Sequence, residues 1–123
     1  MVKQRAFTLI ELLVVMAIVA LLLTLAVPRY FARLEQAKET ALRHDLASMR
    51  DAIDKFHADR DRYPDSLDEL VSLGYLRALP PDPITDETNS WKTVSPTDGA
   101  AGVADIHSGA PGQARNGTHY EDW

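Results

Sequence analysis

The sequence predicts an α+β fold: a long N-terminal helix packed on a small antiparallel sheet of two or three strands with long loops. Three observations predict it. Residues 7–27, FTLIELLVVMAIVALLLTLAV, are apolar almost without interruption. Beyond Pro28, apolar side chains return at steps of three, four or eight as far as Phe56, the period of one helix face. The remainder is punctuated by Pro and Gly and holds two short runs of strand character.

Of the 123 residues, those outside the apolar run suffice for one small domain. The chain has no cysteine, which excludes disulfides, a thiol nucleophile and cysteine-based metal sites. Its net charge of -5 is unevenly spread. Signs nearly balance over 29–62, whereas from Tyr63 onward Arg77, Lys92 and Arg115 are outnumbered by ten Asp and Glu. Phosphate contacts need clustered Lys and Arg, so nucleic acid is not expected as a direct partner.

The first element is the apolar run. As a helix rising ~1.5 Å per residue it measures about 30 Å, the thickness of a hydrocarbon core. It carries one acid, Glu11. A carboxylate there costs a few kcal/mol in lipid unless it finds a partner or sits at headgroup level. A secretory signal typically has about 7–15 apolar residues before a small-x-small cut. The run here is longer, and Thr24 and Ala26 offer the only such cut, so a retained helix is expected. Lys3 and Arg5 on one flank match Arg29 and Arg33 on the other, which leaves orientation open by charge alone.

Pro28 follows. Inside a helix it removes one hydrogen bond and crowds the carbonyl of Thr24, whose hydroxyl is placed to satisfy nearby backbone groups. A helix end and a kink are both open readings. Over 29–60, Leu34, Leu42, Leu46, Met49, Ile53 and Phe56 form one stripe, with Ala37 and Ala41 filling its gap. Three i,i+4 ion pairs are expected on the other faces: Glu39 with Arg43, Arg50 with Asp54, and Asp51 with Lys55. The helix should stop near Arg60, before Tyr63-Pro64.

In the C-terminal region, Ser66 and Glu69 spell a capping box for a short helix over 67–73, closed by Gly74. Leu67, Leu70, Val71 and Leu76 should cover the long helix. Pro80, Pro81 and Pro83 exclude regular structure, strands are expected over 91–94 and 103–107 with a turn region over 96–102, and Asn116-Gly117 is a tight-turn dipeptide. Asn116-Gly117-Thr118 is formally a glycosylation sequon, read here as that turn.

No catalytic constellation emerges, and no enzyme is expected. His57 and Asp61 share a helix face but lack a third ligand, and His44 beside Asp45 means less. No Gly-rich phosphate loop follows a strand, and Ser108, next to His107, has no evident base.

The segment Arg5-Ala6-Phe7-Thr8-Leu9-Ile10-Glu11-Leu12-Leu13-Val14-Val15 resembles the class III signal of type IV pilins and of the pseudopilins of type II secretion systems. Tyr63-Pro64, Leu79-Pro80-Pro81-Asp82-Pro83, the run from Asp105 to Ala110, and Trp123 extend the likeness, toward the major, G-type pseudopilins, over nearly the whole chain. The resemblance implies a pilin-like fold divided into a cleaved leader (1–6), a transmembrane and assembly helix (7–28), an amphipathic half (29–60) and a small C-terminal region (61–123). It implies peptidase cleavage between Ala6 and Phe7, N-methylation of Phe7, and an assembly and register role for Glu11, and a proline often stands in the family where Pro28 stands here. Ala6 departs from the Gly usual before the cut. In a bundle, the new amine on Phe7 of one subunit would neutralise the Glu11 carboxylate of another and relieve its burial cost.

The implied function is a structural subunit of a type II secretion pseudopilus, polymerising through its N-terminal helix to help drive export, with energy from a separate ATPase. Implied partners are further copies of the chain in a filament, other pseudopilins, the prepilin peptidase and an inner-membrane assembly platform. The implied location is a single pass of the inner membrane, N-terminus cytoplasmic and C-terminal domain periplasmic. A type IV pilus or DNA-uptake filament is the alternative within the class, and a monomeric membrane-anchored binding module the alternative outside it. The resemblance also implies calcium held by an Asp-Gly loop and a later Asp. Here Gly109-Ala110-Pro111-Gly112 puts proline at the Asp position, so no cofactor is expected; were calcium bound, Asp105 and Asp122 would be its candidate ligands.

Overall fold

The computed structural model describes residues 2–123. Its elements are a long helix α1 (Leu9–Arg60), a short helix α2 (Leu67–Ser72), strands β1 (Lys92–Val94) and β2 (Asp105–His107), and a 3-10 helix over Tyr120–Asp122. Together they make the expected α+β arrangement, a long helix packed on a two-stranded antiparallel sheet. By its internal contacts the chain divides into two compact units, 1–35 and 36–123.

In the first unit the apolar side chains of α1 are exposed on every face, from Leu9 at 79% to Val27 at 43%. A helix apolar all round belongs in lipid or among other helices, and α1 is long and apolar enough to cross a membrane. It runs through Pro28 without a break, so Pro28 does not end the helix. The Thr24 hydroxyl donates to the Ala20 carbonyl at 2.8 Å, one turn before the site where proline removes a donor.

In the second unit the buried stripe of α1 is Leu42, Leu46, Met49, Ala52, Ile53 and Phe56. Around it gather Leu67 and Leu70 from α2, Trp91, Val103, Ile106, Ala110, Ala114 and Tyr120. The stripe starts later than its sequence period suggests: Leu34 is 38% exposed, and Ala37 and Ala41 face outward. The first buried position is instead Glu39, because the C-terminal chain covers the helix only from there onward.

α1 ends at Arg60 as expected, with Asp61 turning at φ 57 and donating its N–H to the His57 carbonyl. α2 ends in a Schellman motif at Gly74 (φ 82): the Gly74 N–H donates to Val71 O and the Tyr75 N–H to Leu70 O. Leu67 and Leu70 are buried, while Val71 and Leu76 are half-buried. The expected Ser66–Glu69 capping box does not form; Ser66 makes no side-chain cap bond. Glu69 turns instead to the Asp65 amide (2.7 Å) and Arg62 (2.5 Å), a charged partner that a hydroxyl cap cannot match.

The strands are shorter than expected. Register pairs Lys92 with His107, Thr93 with Ile106, and Val94 with Asp105. Trp91 lies just before β1, buried, its indole N–H donating to the Pro80 carbonyl at 2.8 Å. A bridge between Gln113 and His119 closes the expected turn at Asn116-Gly117.

Candidate processing and assembly site

Residues 2–8 carry no regular structure, and α1 begins at Leu9. The Ala6–Phe7 bond therefore lies outside the helix, with both residues exposed and Phe7 at 90%. An extended, solvent-facing peptide is what a protease can bind. Thr8 is the N-cap: its carbonyl accepts the Leu12 N–H at 3.2 Å. Its hydroxyl accepts the Glu11 N–H at 3.2 Å, and Glu11 Oε2 accepts the Thr8 N–H at 3.0 Å. This reciprocal pair is a capping box at the head of α1, where the helix dipole also favours a negative charge. Thr8-Leu9-Ile10-Glu11 spells that box in the sequence, a signal missed when Glu11 is weighed only as an acid among apolar residues. The carboxylate is thus fixed at the head of α1, four residues along the chain from Phe7.

The other singled-out residues lie in the second unit. Asp105 on β2 accepts Arg50 Nε at 2.9 Å and the Ile106 N–H at 2.7 Å. Partial burial pushes its carboxyl up, but the Ile106 amide and the Arg50 guanidinium outweigh this and hold it below the ordinary carboxylate value. Asp122 lies exposed in the 3-10 helix. Among the described residues no three His, Asp or Glu side chains converge as a metal-ligand set. With its best candidate carboxylate already on a guanidinium, the chain does not fit the calcium site implied by the resemblance.

His57 stacks on Tyr63, ring centroids 4.2 Å apart at 9°, and its buried Nδ1 has no hydrogen-bond partner among the described residues. Ser108 is fully buried, donating its hydroxyl to Asp82 Oδ2 at 2.5 Å and accepting the Ala110 N–H at 3.1 Å. A hydroxyl so enclosed ties loops together. His107 Nδ1 lies against the Trp123 main-chain oxygen.

Of the three expected i,i+4 ion pairs, Asp51–Lys55 forms, at 2.7 Å. Of the other four charges, Glu39, Arg43 and Arg50 are taken by tertiary partners. Glu39, 6% exposed, accepts the Arg115 N–H at 2.8 Å and the Tyr120 hydroxyl at 3.4 Å. Arg43 lies 4.3 Å over the Trp123 ring, and Arg50 reaches Asp105. The i, i+4, i+7, i+11 spacing of Glu39, Arg43, Leu46 and Arg50 places them on one helix face.

Residues 1–27 match the family profile of the prokaryotic N-terminal methylation motif. The chain is 34% identical to the type II secretion system core protein G of Klebsiella pneumoniae, over 90% of this chain and 87% of that protein. It is 33% identical to the core protein G of Pseudomonas aeruginosa, over 90% of this chain and 87% of that protein. With that of Escherichia coli K12 the identity is 31%, over 89% and 83%. No solved structure matches the chain significantly.

Proposed function

This chain belongs to the type II secretion system core protein G family, and from that premise we propose that it is a structural subunit of the pseudopilus, polymerising through α1 to help drive protein export. The observation that carries the reading is the first unit. Its helix offers apolar side chains on all faces, a single carboxylate fixed at its head, and an exposed Ala6–Phe7 bond just in front.

The physical sequence runs as follows. A prepilin peptidase cuts before Phe7 and methylates the new amine. Lipid covers the apolar faces of α1 while the subunit waits in the inner membrane, leader side cytoplasmic and the 36–123 unit periplasmic. In the filament, other copies and other pseudopilins replace lipid on those faces. The Phe7 amine of one subunit meets the Glu11 carboxylate of another, and this charge pair sets axial register, since a shift would leave both charges unpaired among apolar side chains. Energy enters through an inner-membrane assembly platform and its ATPase. The subunit works by assembly and catalyses nothing.

Sequencing the mature chain tests the processing step: an N-methylated Phe7 is expected, and an N-terminus at Val27 or an intact leader overturns it. Glu11→Leu tests register. It should lower filament assembly and export at least about tenfold, the effect of ~1.4 kcal/mol on an equilibrium, while membrane insertion persists. Normal filaments from that variant, or unchanged export in a strain lacking the chain, overturn the reading.

A further inference from the structure

Three oxygens converge on the guanidinium of Arg50. Nε donates to Asp105 Oδ1 at 2.9 Å, and Nη2 donates to the main-chain oxygens of Ile106 and Trp123, both at 2.8 Å. The Asp105 carboxylate and two main-chain oxygens, drawn from β2 and from Trp123, are the ligand types a hard cation takes. Without a cation, their negative ends would face one another in a half-buried place at electrostatic cost. Guanidinium is a planar, permanent cation whose fork of donors meets several oxygens at fixed angles.

What this cation holds is the C-terminal segment. The Trp123 main-chain oxygen takes the Arg50 bond, the Trp123 ring lies under Arg43, and its indole N–H donates to Thr118 Oγ1 at 2.8 Å. Three turns back on the same helix face, Glu39 anchors the Arg115 amide. An anion at one end and a cation at the other thus clamp the loop that follows Gly109, and Pro111 stiffens the same loop covalently. A calcium ion at Asp105 would have to displace Arg50 or lie beside it, cation against cation.

We propose that the Arg50 guanidinium is a built-in substitute for bound calcium, closing the C-terminal segment onto α1 so that the 36–123 unit folds without the ion. The inference goes beyond the filament reading and stands or falls separately from it, because it concerns the domain's stability and not what the filament does.

The test is thermal unfolding of the full chain in detergent, followed by near-ultraviolet circular dichroism of its tryptophans, with calcium or with a chelator. Wild type should melt at the same temperature in both and show no saturable calcium binding by calorimetry. Arg50→Met should melt lower by roughly 5–10 °C, and Arg50→Lys, which keeps the charge but loses the fork, should fall between. If Arg50→Met does not fold, Arg50→Lys carries the test through faster hydrogen exchange at the Trp123 amide. A chelator-induced drop in the wild-type midpoint, saturable calcium binding by wild type, or variants that melt and exchange like wild type would each overturn the proposal.

Discussion

At the scale of single residues, charged groups on α1 are placed by what the backbone offers them. Glu11 takes the Thr8 amide at the helix head, and Glu39 takes the Arg115 amide from 76 residues away. The first bond is legible, because Thr-x-x-Glu before an apolar run spells a capping box, and here the box forms. The second is not: the sequence pairs Glu39 with Arg43 on a solvated face, whereas the fold buries it against the Arg115 amide. Asp45 is a contrary case. Burial lifts its carboxyl above the ordinary value, His44 lowers it and Asp82 lifts it further. The folded state thus disfavours the charged form, and stability falls as pH rises from the ordinary carboxylate value through the raised one. Asp45→Asn should therefore raise the melting temperature by a few degrees at neutral pH and change nothing in strong acid. Melting curves of the two proteins across pH would show it, and a gain independent of pH would refute it.

Among elements, the close joint lies where the chain after β2 passes the chain before β1. A Cβ added at Gly109 would sit 1.7 Å from the Ser90 carbonyl oxygen, and neither backbone can yield without disturbing the strand pair beside it. Gly109→Ala should cost at least about 3 kcal/mol or prevent folding. Gly74 is the contrast: a Cβ there meets nothing, but its φ of 82 is unfavourable for a side chain. Gly74→Ala should cost about 1–2 kcal/mol, and urea unfolding of both variants should give the larger loss to Gly109. Helix bounds and turns were legible because they rest on local signals such as Tyr63-Pro64, Gly74 and Asn116-Gly117. Two of the three α1 ion pairs were not, because Trp123 and Asp105 offer Arg43 and Arg50 partly buried contacts, stronger than a solvated i,i+4 pair. The Ser66 cap fails on the same ground, since Arg62 and the Asp65 amide compete for Glu69.

For the molecule as a whole, two carboxylates set the acid limit. Asp105 is held low despite its burial, by the Ile106 amide and by Arg50, and Glu69 chiefly by Arg62 and then by the Asp65 amide. Depressed values mean that their contribution is complete above the ordinary carboxylate range and is lost as pH falls through the depressed values. Melting temperature should accordingly drop in acid below that range, and the drop should shrink in Arg50→Met, where Asp105 has already lost its partner. An equal acid loss in both proteins would contradict this. Both carboxylates are partly exposed, so screening by salt should soften the transition.

The character of α1, the division between its lipid-suited and amphipathic halves, and the α+β class are legible in the sequence alone. These depend on composition, period and short motifs, which act over a few residues and survive whatever the rest of the chain does. Only the tertiary structure decided where the buried stripe begins and which oxygens take Arg50. Those outcomes turn on groups 55 to 76 residues apart, where a charge chooses the partner that best offsets its desolvation, and linear spacing carries no record of that choice.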